Sequence, residues 1–136
     1  PAVVATTPRL DDGTPFPTFY YLTCRRWNSS LSTLESEGLM RGYAQQLVDD
    51  GEFAAQYRRA HQQYLTDREA IEVVDEISDY SAGGMPDRVK CLHALVGHSL
   101  AAGPGVNPVG DLALAEVTRR GLWPHSGPCV VEDHSP

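Results

Sequence analysis

His61, Tyr64 and Arg68 stand at intervals of three and four residues, with Tyr57 one turn earlier. On a helix that spacing makes one stripe carrying an acid–base group, a phenol and a permanent cation. Such a stripe suits a phosphate or carboxylate anion, gripped by bidentate bonds from the arginine. A second group lies in Gly83-Gly-Met-Pro-Asp-Arg-Val-Lys-Cys-Leu-His-Ala-Leu-Val-Gly-His98. Pro86 and Asp87 fit the first turn of a helix, where Arg88 adds positive charge beside free backbone amides. Arg68 and Arg88 are therefore expected to share an anion pocket where their helices pack. His61 or His98 would be the proton-transfer group, and Tyr64 and Lys90 would join as ligand-binding residues. Lys90 is the weakest member, because it points about 160° from Arg88 on a regular helix.

The cysteines allow a different chemistry. On one continuous helix Cys91 and His98 differ by about 700°, close to two full turns, and so share a face roughly 10 Å apart along the axis. A metal held there needs further ligands from elsewhere. His93 falls about 160° from Cys91, so a regular helix excludes a Cys91–His93–His98 cluster. Cys24 precedes Arg25 and Arg26, whose charge favours a thiolate. Cys24, Cys91 and His98 are accordingly the metal candidates, with zinc as the fitting cofactor. The structural alternative is a pair of buried thiols and a hydrogen-bonded core histidine. Cys129 sits in an irregular tail and is the poorest candidate. The glycine-rich stretches lack the lysine and Ser/Thr ending of a phosphate loop, and no strand–glycine–helix dinucleotide signature is present.

These residues need a scaffold, and 136 residues supply one domain spanning 1–136. A 41% hydrophobic content is that of an ordinary globule. The formal charge of -7 disfavours a general nucleic-acid binder, which needs a basic face. No apolar run is long enough to span a bilayer, so no membrane insertion is expected. Three scattered cysteines do not make a disulfide scaffold, and a reduced, cytoplasmic setting is expected. Pro1 in place of methionine reads as an N-terminal truncation.

Residues 2–6 and 18–23 are rich in β-branched and aromatic side chains, and Asp12-Gly13 marks a turn between them. They predict a hairpin. Helices are expected around Thr33–Ser36, from Leu39 to Asp49, from Glu52 to about Val74, from Pro86 to about Ala102 and from Asp111 to Arg119. Leu92, Leu95 and Val96 should be mostly buried on the central helix. The class is α+β and mainly helical: a small N-terminal β-hairpin packed on a helical bundle, with 121–136 an irregular tail.

Much of the chain resembles a bacterial family known as domain of unknown function 501. The resemblance rests on Leu10-Asp-Asp-Gly-Thr-Pro-Phe-Pro-Thr-Phe-Tyr-Tyr-Leu-Thr-Cys24, Leu34-Glu35 with Gly38-Leu-Met40, and Tyr57-Arg-Arg-Ala-His61 with Tyr64 and Arg68. The Gly83–His98 segment and Ala102-Gly-Pro-Gly-Val-Asn-Pro-Val-Gly-Asp111 complete it, over about residues 3 to 115. It implies a small cytoplasmic bacterial protein, encoded near enolase, a septum-formation protein and an exopolyphosphatase-like enzyme. That setting points to phosphate physiology or to an adaptor in cell division. The adaptor reading requires Tyr43, Tyr57 and Tyr64 to form an exposed patch for a bacterial protein partner. Similar chains also carry a Cys-Pro-x-Gly segment upstream of the position of Pro1. Its cysteine would join Cys24 and Cys91 in a zinc-binding structural protein, so a longer natural chain should bind metal more strongly.

Overall fold

The computed structural model describes residues 2–122. Strands β1 (Val3–Ala5) and β2 (Tyr20–Leu22) pair antiparallel, in the register Val3 with Leu22, Val4 with Tyr21 and Ala5 with Tyr20. The turn between them is closed by the Asp12 carboxylate, which accepts from the Thr14 amide at 2.9 Å. Gly13 supplies the positive φ of 87° that the turn needs. Five helices follow: α1 (Arg25–Ser36), α2 (Leu39–Asp49), α3 (Gly51–Glu69), α4 (Leu92–Ala102) and α5 (Pro108–Arg119). The hairpin on a mainly helical body is the expected α+β architecture. No helix among the described residues is long and apolar enough to cross a membrane. The expected irregular tail lies, beyond Leu122, outside the described residues.

Four helix boundaries differ from expectation, each for an identifiable reason. α5 starts at Pro108, three residues before Asp111, because the Asn107 side chain caps it by accepting from the Gly110 amide. α1 is a full helix and not a turn at Thr33–Ser36. Trp27, Leu31 and Leu34 recur at spacings of four and three and bury one face. α3 begins where the Asp50 side chain accepts from the Glu52 and Phe53 amides, both at 3.1 Å. It stops at Glu69, five residues before Val74, and the chain turns through a short 3-10 segment, Asp75–Ile77. That turn buries Val74 and Ile77 and aims the Ile77 carbonyl back at α3.

The start of α4 matters most for function. Residues 86–91 are not helical. Gly83 and Gly84, at φ of 65° and 96°, fold the chain into a loop. Within it the Gly84 carbonyl accepts from Arg88 and the Gly83 carbonyl from Lys90, at 2.9 and 2.7 Å. α4 starts only at Leu92, with Cys91 as an extended N-cap.

From there α4 runs through the middle of the body, packed on β2, α1 and α5. Leu92, Leu95 and Val96 are fully buried, as expected of the central helix. Two close approaches hold it. An ideal Cβ on Gly97 would lie 2.8 Å from the Tyr20 carbonyl oxygen, and one on Gly110 of α5 would lie 2.4 Å from the Leu95 carbonyl oxygen. Both opposing atoms are backbone and have little room to yield. Gly97→Ala should therefore cost about 1–3 kcal/mol in urea unfolding. Gly42→Ala, in α2 with nothing within 4 Å, should gain about 0.5–1 kcal/mol from helix propensity. Equal effects at the two sites would remove the α4–β2 contact from this account.

Candidate functional site

The α3 stripe faces inward. Arg68 is 2% exposed, and its guanidinium donates to the carbonyls of Pro17 at 2.8 Å, Ile77 at 2.6 Å and Ser81 at 3.5 Å. Tyr64 is fully buried, and its hydroxyl accepts from the Phe19 and Tyr20 amides at 2.6 and 3.1 Å. His61 Nδ1 lies 2.7 Å from the Ser81 hydroxyl. Burial, reinforced by Arg58, holds that imidazole below its ordinary pKa. The stripe thus ties α3 to the hairpin and to the loop after it.

The expected anion pocket is not assembled by these contacts. Arg68 spends its donors on backbone carbonyls. Arg88 is exposed, and what it contributes inward is its carbonyl, which accepts from the Tyr57 hydroxyl at 2.7 Å. Lys90 is exposed beside Tyr80 and Gly84, along a separate shallow groove. Tyr57 and Tyr64 are buried and Tyr43 is half-buried, so the tyrosine patch required of an adaptor is also missing.

His98 is a core residue. It is fully buried, stacked on Tyr20 at 5.7 Å and perpendicular to Tyr64 at 5.0 Å between ring centroids. The Asn107 amide donates to its Nδ1 at 3.2 Å, and Asn107 is held in that orientation because its oxygen accepts from the Gly110 amide. The ring proton therefore sits on Nε2, which has no hydrogen-bond partner among the described residues. Burial pushes this imidazole down to about 4, against smaller upward pulls from Asp67 and Asp111. Cys24 is fully buried at the α1 N-cap and disulfide-bonded, in contrast to the reduced thiol expected of a metal ligand. Cys129 lies outside the described residues.

What the fold does bring together is Glu35, Cys91 and His93. One ligand atom from each lies within 4.8 Å of the other two. Among the described residues this is the one such group, and it contains neither Cys24 nor His98. The expectation that Cys91 and His93 diverge assumed a helix through both. With α4 beginning between them, the extended N-cap turns Cys91 toward the imidazole. Glu35 reaches across from α1, and its Oε2 accepts from the Leu92 amide at 2.7 Å and from His93 Nδ1 at 3.1 Å. His93 Nε2 donates to the Asn28 carbonyl at 3.1 Å.

Electrostatics follow from this geometry. The hydrogen bond with Cys91, opposed by burial and helped by Glu35 and the Asn28 carbonyl, raises His93 to about 9. Burial alone would raise the Cys91 thiol, but His93 and the Ala94 amide outweigh it and bring the thiol below its ordinary value. Cys91 and His93 line one wall of an open groove of about 560 Å³ that runs along residues 18–23 of the hairpin.

Residues 1–115 match a family described as a protein of unknown function (DUF501). The chain belongs to this family. No curated protein and no solved structure matches it. Membership confirms the resemblance carried by the motifs, and its description assigns no activity. Cys91 was legible as a candidate ligand. Glu35 was not, since only tertiary packing places it there. The Cys91-x-His93 spacing was a usable signal only with the start of α4 known.

Two outcomes separate the core roles from binding roles. Arg68→Met should cost at least about 3 kcal/mol, because it strands buried carbonyls, whereas an arginine serving only an anion would leave thermal stability unchanged. For His98, the folded imidazole sits below its unfolded value of about 6.5. Its contribution is complete above pH 6.5. As pH falls from 6.5 to 4 the unfolded chain gains a proton that the folded chain refuses, so stability drops by on the order of 3 kcal/mol and then levels off. Urea unfolding across that window should show this slope in the wild type and lose it in His98→Gln. Parallel profiles would sink the assignment.

Proposed function

We propose that the protein is a metal-binding protein that holds a thiophilic divalent cation, zinc foremost, through Glu35, Cys91 and His93. The carrying observation is that the three donors converge within 4.8 Å from two helices. Their chemistry fits zinc, which takes sulfur, nitrogen and carboxylate oxygen at about 2.0–2.3 Å. Tetrahedral ligands at such lengths stand roughly 3.5 Å apart, so the cluster closes on an ion with about 1 Å of contraction.

The surrounding bonds support the reading. A ligating imidazole is held in place when its second nitrogen donates to a backbone carbonyl, the role Asn28 plays for His93. The ligating carboxylate is held by the Leu92 amide. The ion would take the place of the proton now shared between Glu35 and His93. Three protein ligands leave one coordination position, and Cys91 and His93 turn that side toward the groove. A closed structural site would have a fourth protein ligand. The arrangement therefore favours a metal that meets a small ligand over a metal that only staples the fold.

The test is uptake of zinc and cobalt by the purified chain, followed by elemental analysis and by the sulfur-to-cobalt charge-transfer band. One equivalent of metal is expected. Cys91→Ser should abolish the band, and Glu35→Gln or His93→Gln should weaken affinity by about 10- to 100-fold with helical circular dichroism retained. A folded wild-type chain that takes up no stoichiometric metal overturns the proposal.

A further inference from the structure

Resting on that metal site, we infer that the groove takes a small monocarboxylate with an apolar body, its head on the metal and its tail along β2. The placement comes from what lines the cavity. Tyr21, Leu22 and Ala94 give it apolar walls, and Cys91 and His93 stand at its polar wall. Glu35 is not among the lining residues, so it closes the cluster from the α1 side and leaves the opposite side to the ligand. A volume of about 560 Å³ suits a molecule of metabolite size.

Charge narrows the head group. A divalent ion with one thiolate and one carboxylate is neutral as a unit, and among the described residues no lysine or arginine lines the groove. One further negative charge, bonded directly to the ion, is then the most the open position can take. A phosphate ester or polyphosphate would bring further charges with no cation to meet them. The same absence separates this groove from the arginine-based phosphate pocket expected from the sequence.

Hydrogen bonding narrows it again. A carboxylate that gives one oxygen to the metal has a second oxygen needing a donor. Asn28 lines the groove, and the bond from its side-chain amide to the Leu22 carbonyl is long at 3.4 Å. We assign that oxygen to this amide, which its long bond leaves only weakly engaged. A thiolate head has little use for it. Tyr21, 49% exposed and among the residues lining the groove, is then covered by the ligand tail.

The experiment uses the full chain saturated with cobalt and titrated with 3-phenylpropionate, acetate, inorganic phosphate and 3-phenylpropane-1-thiol. The expected result is a change in the cobalt visible spectrum with 3-phenylpropionate at least tenfold tighter than acetate, and phosphate weaker than acetate. Asn28→Ala and Tyr21→Ser, each kept saturated with cobalt, should weaken 3-phenylpropionate at least fivefold. Equal binding of acetate and 3-phenylpropionate, tighter binding of phosphate or the thiol, or no spectral change overturns the inference while leaving the metal site standing. Failure to take up cobalt overturns the metal site and this inference with it.

Discussion

Glu35 reaches from α1 to the first amide of α4, and the 2.7 Å bond to Leu92 sets where the central helix begins. The first amides of a helix have no partner within it, so an acceptor placed there fixes its start. One residue earlier the chain is extended, which turns Cys91 off the helix axis. One residue later the helix carries His93 back toward the same carboxylate. Moving the helix start to Pro86 would place Cys91 and His93 on nearly opposite sides. The whole cluster depends on that boundary.

The hairpin makes the boundary consequential. β1 and β2 are three residues each, too short to stand alone, and they are held from beneath. Tyr64 accepts two amides at the start of β2, Arg68 takes the Pro17 carbonyl, and Gly97 lets α4 approach the Tyr20 carbonyl. These buried polar contacts are costly unless satisfied, and here nearly every partner is a backbone group that loops leave unpaired. Polar residues at helical spacing on α3 therefore serve the strand above them. With β2 fixed on α4, the segment 18–23 becomes one side of a groove whose other side is the start of α4.

This division explains what could be read from the chain. The hairpin, α2 and the burial of Leu92, Leu95 and Val96 follow from local patterns: β-branched and aromatic runs, and apolar residues at helical period. The family's motifs were legible too. α1 went unseen as a full helix, although Trp27, Leu31 and Leu34 carry the spacing. The end of α3 depends on Val74 and Ile77 finding burial off the helix, and the late start of α4 depends on a residue 57 positions away. His61, Tyr64, Arg68 and His98 have residue types that suit chemistry, and the fold buries all four and engages them in hydrogen bonds within the body. Burial and partner geometry are tertiary facts. Glu35 stands in one of the family's motifs, but nothing local marks it as a ligand.

In the proposed metal site the Glu35 carboxylate would be both helix cap and ligand, and the two roles are compatible. Its Oε2 already takes the Leu92 amide and the His93 ring proton together. A cation in the proposed site would replace the hydrogen bonds that His93 makes with Glu35 and Cys91 and leave the amide bond to α4 in place. The Asn28 carbonyl keeps its hold on the far side of the imidazole throughout. Binding a metal there would thus ask mainly for a contraction of the three side chains, whose donor atoms already lie within 4.8 Å of one another. A site of this kind is preorganised by the fold itself, since the bonds that orient its ligands are the ones that start the central helix.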